Sequence, residues 1–163
     1  MEAARPKPLM HFFGDDPIPP ARSRQMSRIR GRDTAPELAL RRALWKEGVR
    51  FRVNVRDLPG RPDIASKKAK VAVFVDGCFW HGCPEHYRAP RTRRAYWEEK
   101  IRRNQERRRQ VMQQYPPDWQ AFEVFECVLG KDLPNIQRRV AKLFEARPSS
   151  RSRAPVPRPP GPR

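Results

Sequence analysis

Val71-Ala-Val-Phe-Val-Asp-Gly-Cys-Phe-Trp-His-Gly-Cys-Pro-Glu-His86 runs from an apolar strand straight into a knot of Asp, Cys and His, with Phe79 and Trp80 set between the polar groups. The run Val71–Val75 is short, rich in valine and closed by Asp76-Gly77, which reads as a strand ending in a turn. Working outward, Leu58-Pro-Gly-Arg-Pro is a turn and Asp63-Ile-Ala-Ser66 a second short strand. The spacing predicts that this strand pairs with Lys70–Val75 as a hairpin around Lys67-Lys68. Asp63, at the start of one strand, then faces Val75 and Asp76 at the end of the other.

The flanking sequence supplies the remaining elements. Thr34-Ala-Pro-Glu37 reads as a helix start, with Thr34 as cap, Pro36 in the first turn and Glu37 closing a capping box. The helix runs to about Glu47, and Gly48 suits its end. Leu40 and Leu44 share a face with Glu37, so that carboxylate is expected to point inward. Val49–Val55 reads as a first strand. A long helix fits Arg93–Gln114, with Trp97, Ile101, Asn104, Arg108, Val111 and Tyr115 forming an inward stripe at spacings of three and four. Pro116-Pro117 ends it. Ala121–Cys127 reads as a strand and Leu133–Phe144 as a closing amphipathic helix. The fold class is therefore α/β, a small mixed sheet flanked by helices.

At 163 residues the chain has room for one domain. The ends, 1–23 and 147–163, are rich in Pro and Arg or without periodicity and are expected to be disordered tails, leaving a folded unit at 24–146. A net charge of +18 and a pI near 11.2 favour a polyanion as partner. No apolar run approaches the ~20 residues that span a bilayer, and no signal-peptide pattern follows the start. Three cysteines in such a chain favour metal ligation over a disulfide. A monomer in the cytoplasm, associated with the nucleoid and not with a membrane, is the expected setting.

Two kinds of metal chemistry are written in these residues. Cys78, Cys83, His86 and Cys127 make a soft set of the kind that holds structural Zn²⁺, with His81 as a rival to His86 on spacing alone. Asp63 and Asp76 bring carboxylates to one sheet edge, where a hard cation such as Mg²⁺ could polarise a phosphate. His81 titrates near neutral pH and could act as general base, and Glu37 could join through a water. Phe79 and Trp80, lying between ligands, are poorly placed for a regular core and could stack on or wedge between bases. Trp97, the preceding Arg91, Arg93 and Arg94, and Met26 in the basic arm could assist.

With these motifs in order, the chain resembles the very-short-patch repair (Vsr) endonucleases, from about Met26 to Phe144. The likeness is carried by Met26–Glu37, Leu58–Asp63, Val73–His81, Tyr96–Ile101 with Asn104, and Glu126-Cys127. It implies a restriction-endonuclease-like core and a Mg²⁺-dependent nick 5′ of the thymine in a T:G mismatch, the product of 5-methylcytosine deamination. It makes Asp63 the main metal ligand with the Val75 carbonyl nearby, His81 the catalytic histidine and Glu37 a helper. It assigns zinc to Cys78, Cys83, His86 and Cys127. It further implies that Phe79, Trp80 and Trp97 wedge into duplex DNA from one groove while Met26 approaches from the other. Mismatch-repair proteins and a repair polymerase are candidate partners.

Two departures from the best-known form of the family stand out. The metal loop reads Cys83-Pro-Glu-His86 where that form has a His-rich run ending in Cys. Asp76 stands at a histidine position and Arg108 at an aspartate position, which suggests an exchanged Asp76–Arg108 pair, with Asp76 alternatively an extra metal ligand. Alternatives to the mismatch nickase are a non-catalytic zinc-containing DNA-binding module and another nuclease of the same fold. A requirement for Mg²⁺ separates enzyme from module.

Overall fold

A computed structural model describes residues 31–145, which build three helices around a three-stranded sheet. Helix α1, Ala35–Lys46, starts behind an extended Thr34 and carries Pro36 in its first turn, where the missing N–H costs nothing. Its end is a Schellman turn. Gly48 (φ +81°) donates to the Trp45 carbonyl, and Val49 donates to that of Leu44.

Strands β1 (Ile64–Ser66) and β2 (Val71–Asp76) form the antiparallel hairpin expected, with Ile64 opposite Val73 and Ser66 opposite Val71. β2 then pairs in parallel with β3 (Gln120–Phe125), the crossover being helix α2 (Arg94–Gln113). β2 is thus central in the order β1-β2-β3 and is buried along almost all its length, which accounts for its unbroken apolar run. Helix α3 (Glu126–Glu145) is the last element among the described residues and packs on α1. The core joins Leu40 and Leu44 of α1, Ile64, Val71, Val73 and Val124 of the sheet, and Leu129, Ile136 and Val140 of α3.

Two expectations need correction and a third needs extension. Val49–Val55 is not a strand; only Arg52 bridges Ala65, through a reciprocal pair of backbone hydrogen bonds of 2.8 and 2.9 Å. β1 is too short to extend that ladder, and Asn54 (φ +49°) turns the chain out of extension. Next, β3 stops at Phe125, so Cys127 sits in the first turn of α3 and not at a strand end. Finally, α3 begins earlier, at Glu126, with the expected helix from Leu133 present as its second part. It kinks at Asp132 (φ −148°, ψ 57°), whose Oδ1 accepts the Asn135 N–H as a fresh cap, with Pro134 in the turn that follows. The tails and Met26 lie outside the described residues. Among the described residues no helix is long and apolar enough to cross a membrane.

Candidate functional site

The turn Leu58-Pro-Gly-Arg-Pro sets the position of Asp63. Gly60 has φ +68°, and a Cβ there would meet Val111 Cγ1 of α2 at 2.4 Å and Phe74 Cε1 at 3.2 Å, so glycine is required both by the backbone and by the approach of α2. Tyr115, just past α2, donates from its hydroxyl to the Pro59 carbonyl at 2.9 Å. Pro62 is fully buried, and β1 begins one residue after Asp63. The Val75 N–H therefore has no β1 partner and donates to Asp63 Oδ2 at 2.8 Å.

One cavity of about 410 Å³ gathers Glu37, Asp63, Val75, Asp76 and His81, with Arg32, Asn54, Arg61 and Arg108 in its wall. The three carboxylates in it are in different situations. Glu37 is saturated: Oε1 accepts the Thr34 hydroxyl at 2.8 Å, and Oε2 accepts the Asp33 N–H at 2.9 Å and Arg41 Nη2 at 3.0 Å. The expected capping box is thus altered, since Thr34 bonds the Glu37 carboxylate and caps no backbone N–H. Asp76, 2% exposed, is gripped through both oxygens by Arg108, Nε to Oδ2 at 3.0 Å and Nη2 to Oδ1. With both oxygens taken, Asp76 is poorly placed as a metal ligand. Asp63 alone keeps an oxygen with no hydrogen bond among the described residues.

That difference carries a charge. Burial pushes the Asp63 carboxyl up to about 6; the nearby charges of Glu37 and Asp76 add to the push, against the Val75 N–H and Arg41. A hard oxygen donor whose own negative charge is uncomfortable fits a cation. His81 is held below its ordinary pKa chiefly by burial, with Asp76 opposing and Arg108 and Arg107 adding to the depression, so its ring is neutral at pH 7. Its Nδ1 lies 3.4 Å from Asp76 Oδ2.

A second cluster shares the same loop. The ligand atoms of Cys78, Cys83, His86 and Cys127 all lie within 4.8 Å of one another, the spacing of donors around one metal ion. Cys83 Sγ stands 3.7 Å from Cys127 Sγ and 3.8 Å from His86 Nδ1. His86, not His81, completes the set. The first turn of α3 delivers Cys127, and Glu126 Oε1 accepts the Cys78 N–H at 2.8 Å. Burial pushes the Cys78 thiol up to about 12; burial also pushes Cys83 up, but hydrogen bonds involving His86, Glu85 and Cys127 outweigh it and bring that thiol down to about 6, so the clustered sulfurs divide the charge unequally.

Between the two sites the loop is stapled to α2. Asn104 donates to the Trp80 carbonyl at 2.8 Å and Gln105 to that of His81 at 3.2 Å. At Gly82 (φ +61°) a Cβ would meet Ile101 Cγ2 at 2.7 Å. Phe79, Trp80 and Trp97 form a half-buried cluster with centroids 5.1–6.0 Å apart, and Lys100 lies over the Trp80 and Trp97 rings. Arg91, Arg93 and Arg94 are exposed on the approach to α2, with Arg94 paired to Glu98. Sequence reading missed Arg41, Asn54 and Arg61. Arg41 stands four residues after Glu37 on the Leu40–Leu44 side, and that spacing was the available signal. Asn54 and Arg61 both adopt positive φ, which asparagine tolerates well but which the sequence does not announce at Arg61.

Comparison with known proteins gives the family. The family described as DNA mismatch endonuclease Vsr matches residues 15–86. The type II nicking enzyme V.NaeI of Lentzea aerocolonigenes is 46% identical over 124 residues, spanning 71% of this chain and 75% of the relative. The type II nicking enzyme V.XorIIP of Xanthomonas oryzae pv. oryzae is 35% identical over 133 residues, 80% of this chain and 97% of the relative. The DNA mismatch endonuclease Vsr of Escherichia coli K12 is 40% identical over 110 residues, 66% of this chain and 70% of the relative.

Proposed function

The chain belongs to the Vsr family of DNA mismatch endonucleases, and from that premise we propose that it nicks one strand of duplex DNA 5′ of the thymine in a T:G mismatch, using Mg²⁺. The observation that carries this reading is the single cavity joining Asp63, Val75 and His81 under a wall of arginines. Nicking hydrolyses one phosphodiester: a water oxygen bonds to phosphorus, the bond to one bridging oxygen breaks, and a proton passes from the water side to the leaving oxygen. Asp63 and the Val75 carbonyl would hold Mg²⁺, which when bound draws charge from the phosphate oxygens. His81, neutral at pH 7, is the group that handles the proton. Glu37 anchors Arg41 and the rim of the cavity, and Arg32 and Arg61 meet the phosphates.

The Cys78, Cys83, His86, Cys127 set suits structural Zn²⁺. A Zn–S bond of ~2.3 Å in a tetrahedron gives sulfur edges of roughly 3.8 Å, against 3.7 Å between Cys83 and Cys127. This site ties the loop bearing Phe79, Trp80 and His81 to α3, and the aromatic cluster is the surface that enters the mismatched stack. We also take the mixed sheet to be the core of a restriction-endonuclease-like fold.

The test is nicking of a strand-labelled duplex bearing one T:G mismatch, beside T:A and C:G duplexes, with Mg²⁺ or EDTA. A Mg²⁺-dependent cut confined to the mismatch is expected. Equal cutting of all duplexes would leave a nuclease without the repair role, and binding without cutting would leave a DNA-binding module.

A further inference from the structure

We propose that Arg108 is a positioning residue for His81, acting through Asp76: its two-point grip fixes the Asp76 carboxylate so that Oδ2 faces His81 Nδ1 and turns Nε2 toward the cavity. This rests on the reading of His81 as the proton-handling group.

The geometry points along a chain of contacts from α2 to the loop. Arg108 binds both Asp76 oxygens, and its Cζ lies 4.1 Å from the centroid of the Phe74 ring, which holds the guanidinium plane from one side. Glu123 of β3 stands 3.6 Å from Arg108 Nε on the parallel neighbour strand. Asp76 is thus held through both oxygens at the end of β2, with Glu123 the second carboxylate facing the same guanidinium. His81 Nδ1 is sealed from solvent and makes no hydrogen bond among the described residues, and Asp76 Oδ2 lies 3.4 Å away. The side chain as a whole is 24% exposed, so the reachable part of the ring is the part away from Nδ1. A buried ring nitrogen beside a buried carboxylate carries the proton, and the hydrogen bond that forms there leaves Nε2 as the unprotonated, outward nitrogen. The contact is long for a hydrogen bond, as catalytic contacts are before substrate tightens them.

A purely structural staple between α2 and β2 would use the same ion pair but would not select a tautomer. The experiment is nitrogen-resolved NMR of the His81 imidazole in the full-length, metal-loaded protein at one pH where the ring is neutral. The variants are Arg108→Gln and Arg108→Lys, with single-turnover nicking and DNA affinity measured in parallel. Wild type is expected to show His81 protonated on Nδ1. Arg108→Gln should populate the other tautomer and lower the nicking rate about 100-fold, the cost of a misplaced catalytic group, while DNA affinity holds. Arg108→Lys keeps the charge and loses the fork, so it should fold and fall between the two. Should Arg108→Gln fail to fold, the Lys variant decides alone.

The proposal is overturned if wild type carries the proton on Nε2. It is overturned equally if Arg108→Lys matches wild type in both tautomer and rate, or if the loss lies in DNA affinity and not in rate. Because the tautomer is read without DNA, a chain that ignores T:G mismatches would fail the functional reading and leave this one still decided.

Discussion

Two sites share one loop and treat negative charge in opposite ways. Around Cys78, Cys83, His86 and Cys127, four donors converge within 4.8 Å of one another, with no arginine or lysine among them. In the cavity beside them, arginines have already answered two of three carboxylates: Arg41 holds Glu37 and Arg108 holds Asp76. Asp63 is the exception, with one oxygen tied to a backbone N–H and its charge disfavoured by burial. The first arrangement offers four donors to one ion and suits holding a fold. The second leaves one ligand in need of a cation beside a neutral histidine, which suits exchange with substrate and solvent. His81 belongs to the second by chemistry and to the first by position, since it sits between Cys78 and Cys83.

The sharpest break is to remove one thiolate. Cys127→Ser should lower unfolding stability by roughly 5 kcal/mol, less than the ~10–16 kcal/mol found where a metal is the whole core of a small peptide. Urea melts with and without chelator would show it, wild type in chelator matching the variant. A soluble Cys127→Ser protein with unchanged melt and full activity would dissolve the distinction between the sites.

Asp63→Ala tests the other side. It should reduce nicking by about a thousandfold or more, the scale of losing a metal that stabilises transition-state charge. Mismatched-duplex binding in a gel-shift titration should barely change. Lost binding with a lowered melt would assign Asp63 to folding.

Gly60→Ala should cost about 1–3 kcal/mol, because the added methyl meets Val111 and the left-handed backbone resists it. It should also slow nicking by moving the turn that seats Asp63. A variant as stable as wild type in thermal unfolding would show that α2 does not fix that turn.

The smallest effect concerns pH. Asp63 titrates near 6 in the folded protein against an ordinary 3.8, so folding disfavours its charged form relative to the unfolded chain. Stability linked to this group is fully present below about pH 4 and is lost as pH rises through about 6. His81, depressed from 6.5, has the opposite sign: its share is present above its ordinary value and is lost as pH falls. Asp63→Asn should therefore stabilise the Mg²⁺-free protein at pH 8, by no more than about 3 kcal/mol. The gain should shrink toward pH 4; a gain independent of pH would mean that the carboxylate is not strained.

Much of this was legible in the sequence where periodicity and chemistry agreed. The β1–β2 hairpin needed only two short apolar runs and the turn between them. The α2 stripe held from Trp97 to Tyr115 because each member meets the loop, the Gly60 turn or β2. The Asp76–Arg108 pairing was suggested by the resemblance, whose best-known form has a histidine and an aspartate at those positions, and it accounts for an arginine on an inward face. Val49–Val55 misled because alternating burial reports which side chains face inward, and Val49 and Val55 are indeed buried, while it says nothing of whether a ladder forms. Cys127 misled because a short apolar run reads alike as strand end or helix start, and here Glu126-Cys-Val-Leu129 begins α3. Spacing alone left His81 and His86 open, since both lie within reach of Cys83 along the chain; the resemblance favoured His86, and the distances agree.

The most direct test of the account places wild type and Asp63→Ala side by side on labelled T:G and T:A duplexes, with Mg²⁺ or EDTA, after measuring zinc in both. The predicted result is equal zinc, equal T:G binding, and a cut 5′ of the mismatched thymine by wild type with Mg²⁺ alone. Cutting in EDTA, or by the Asp63→Ala protein, would contradict it.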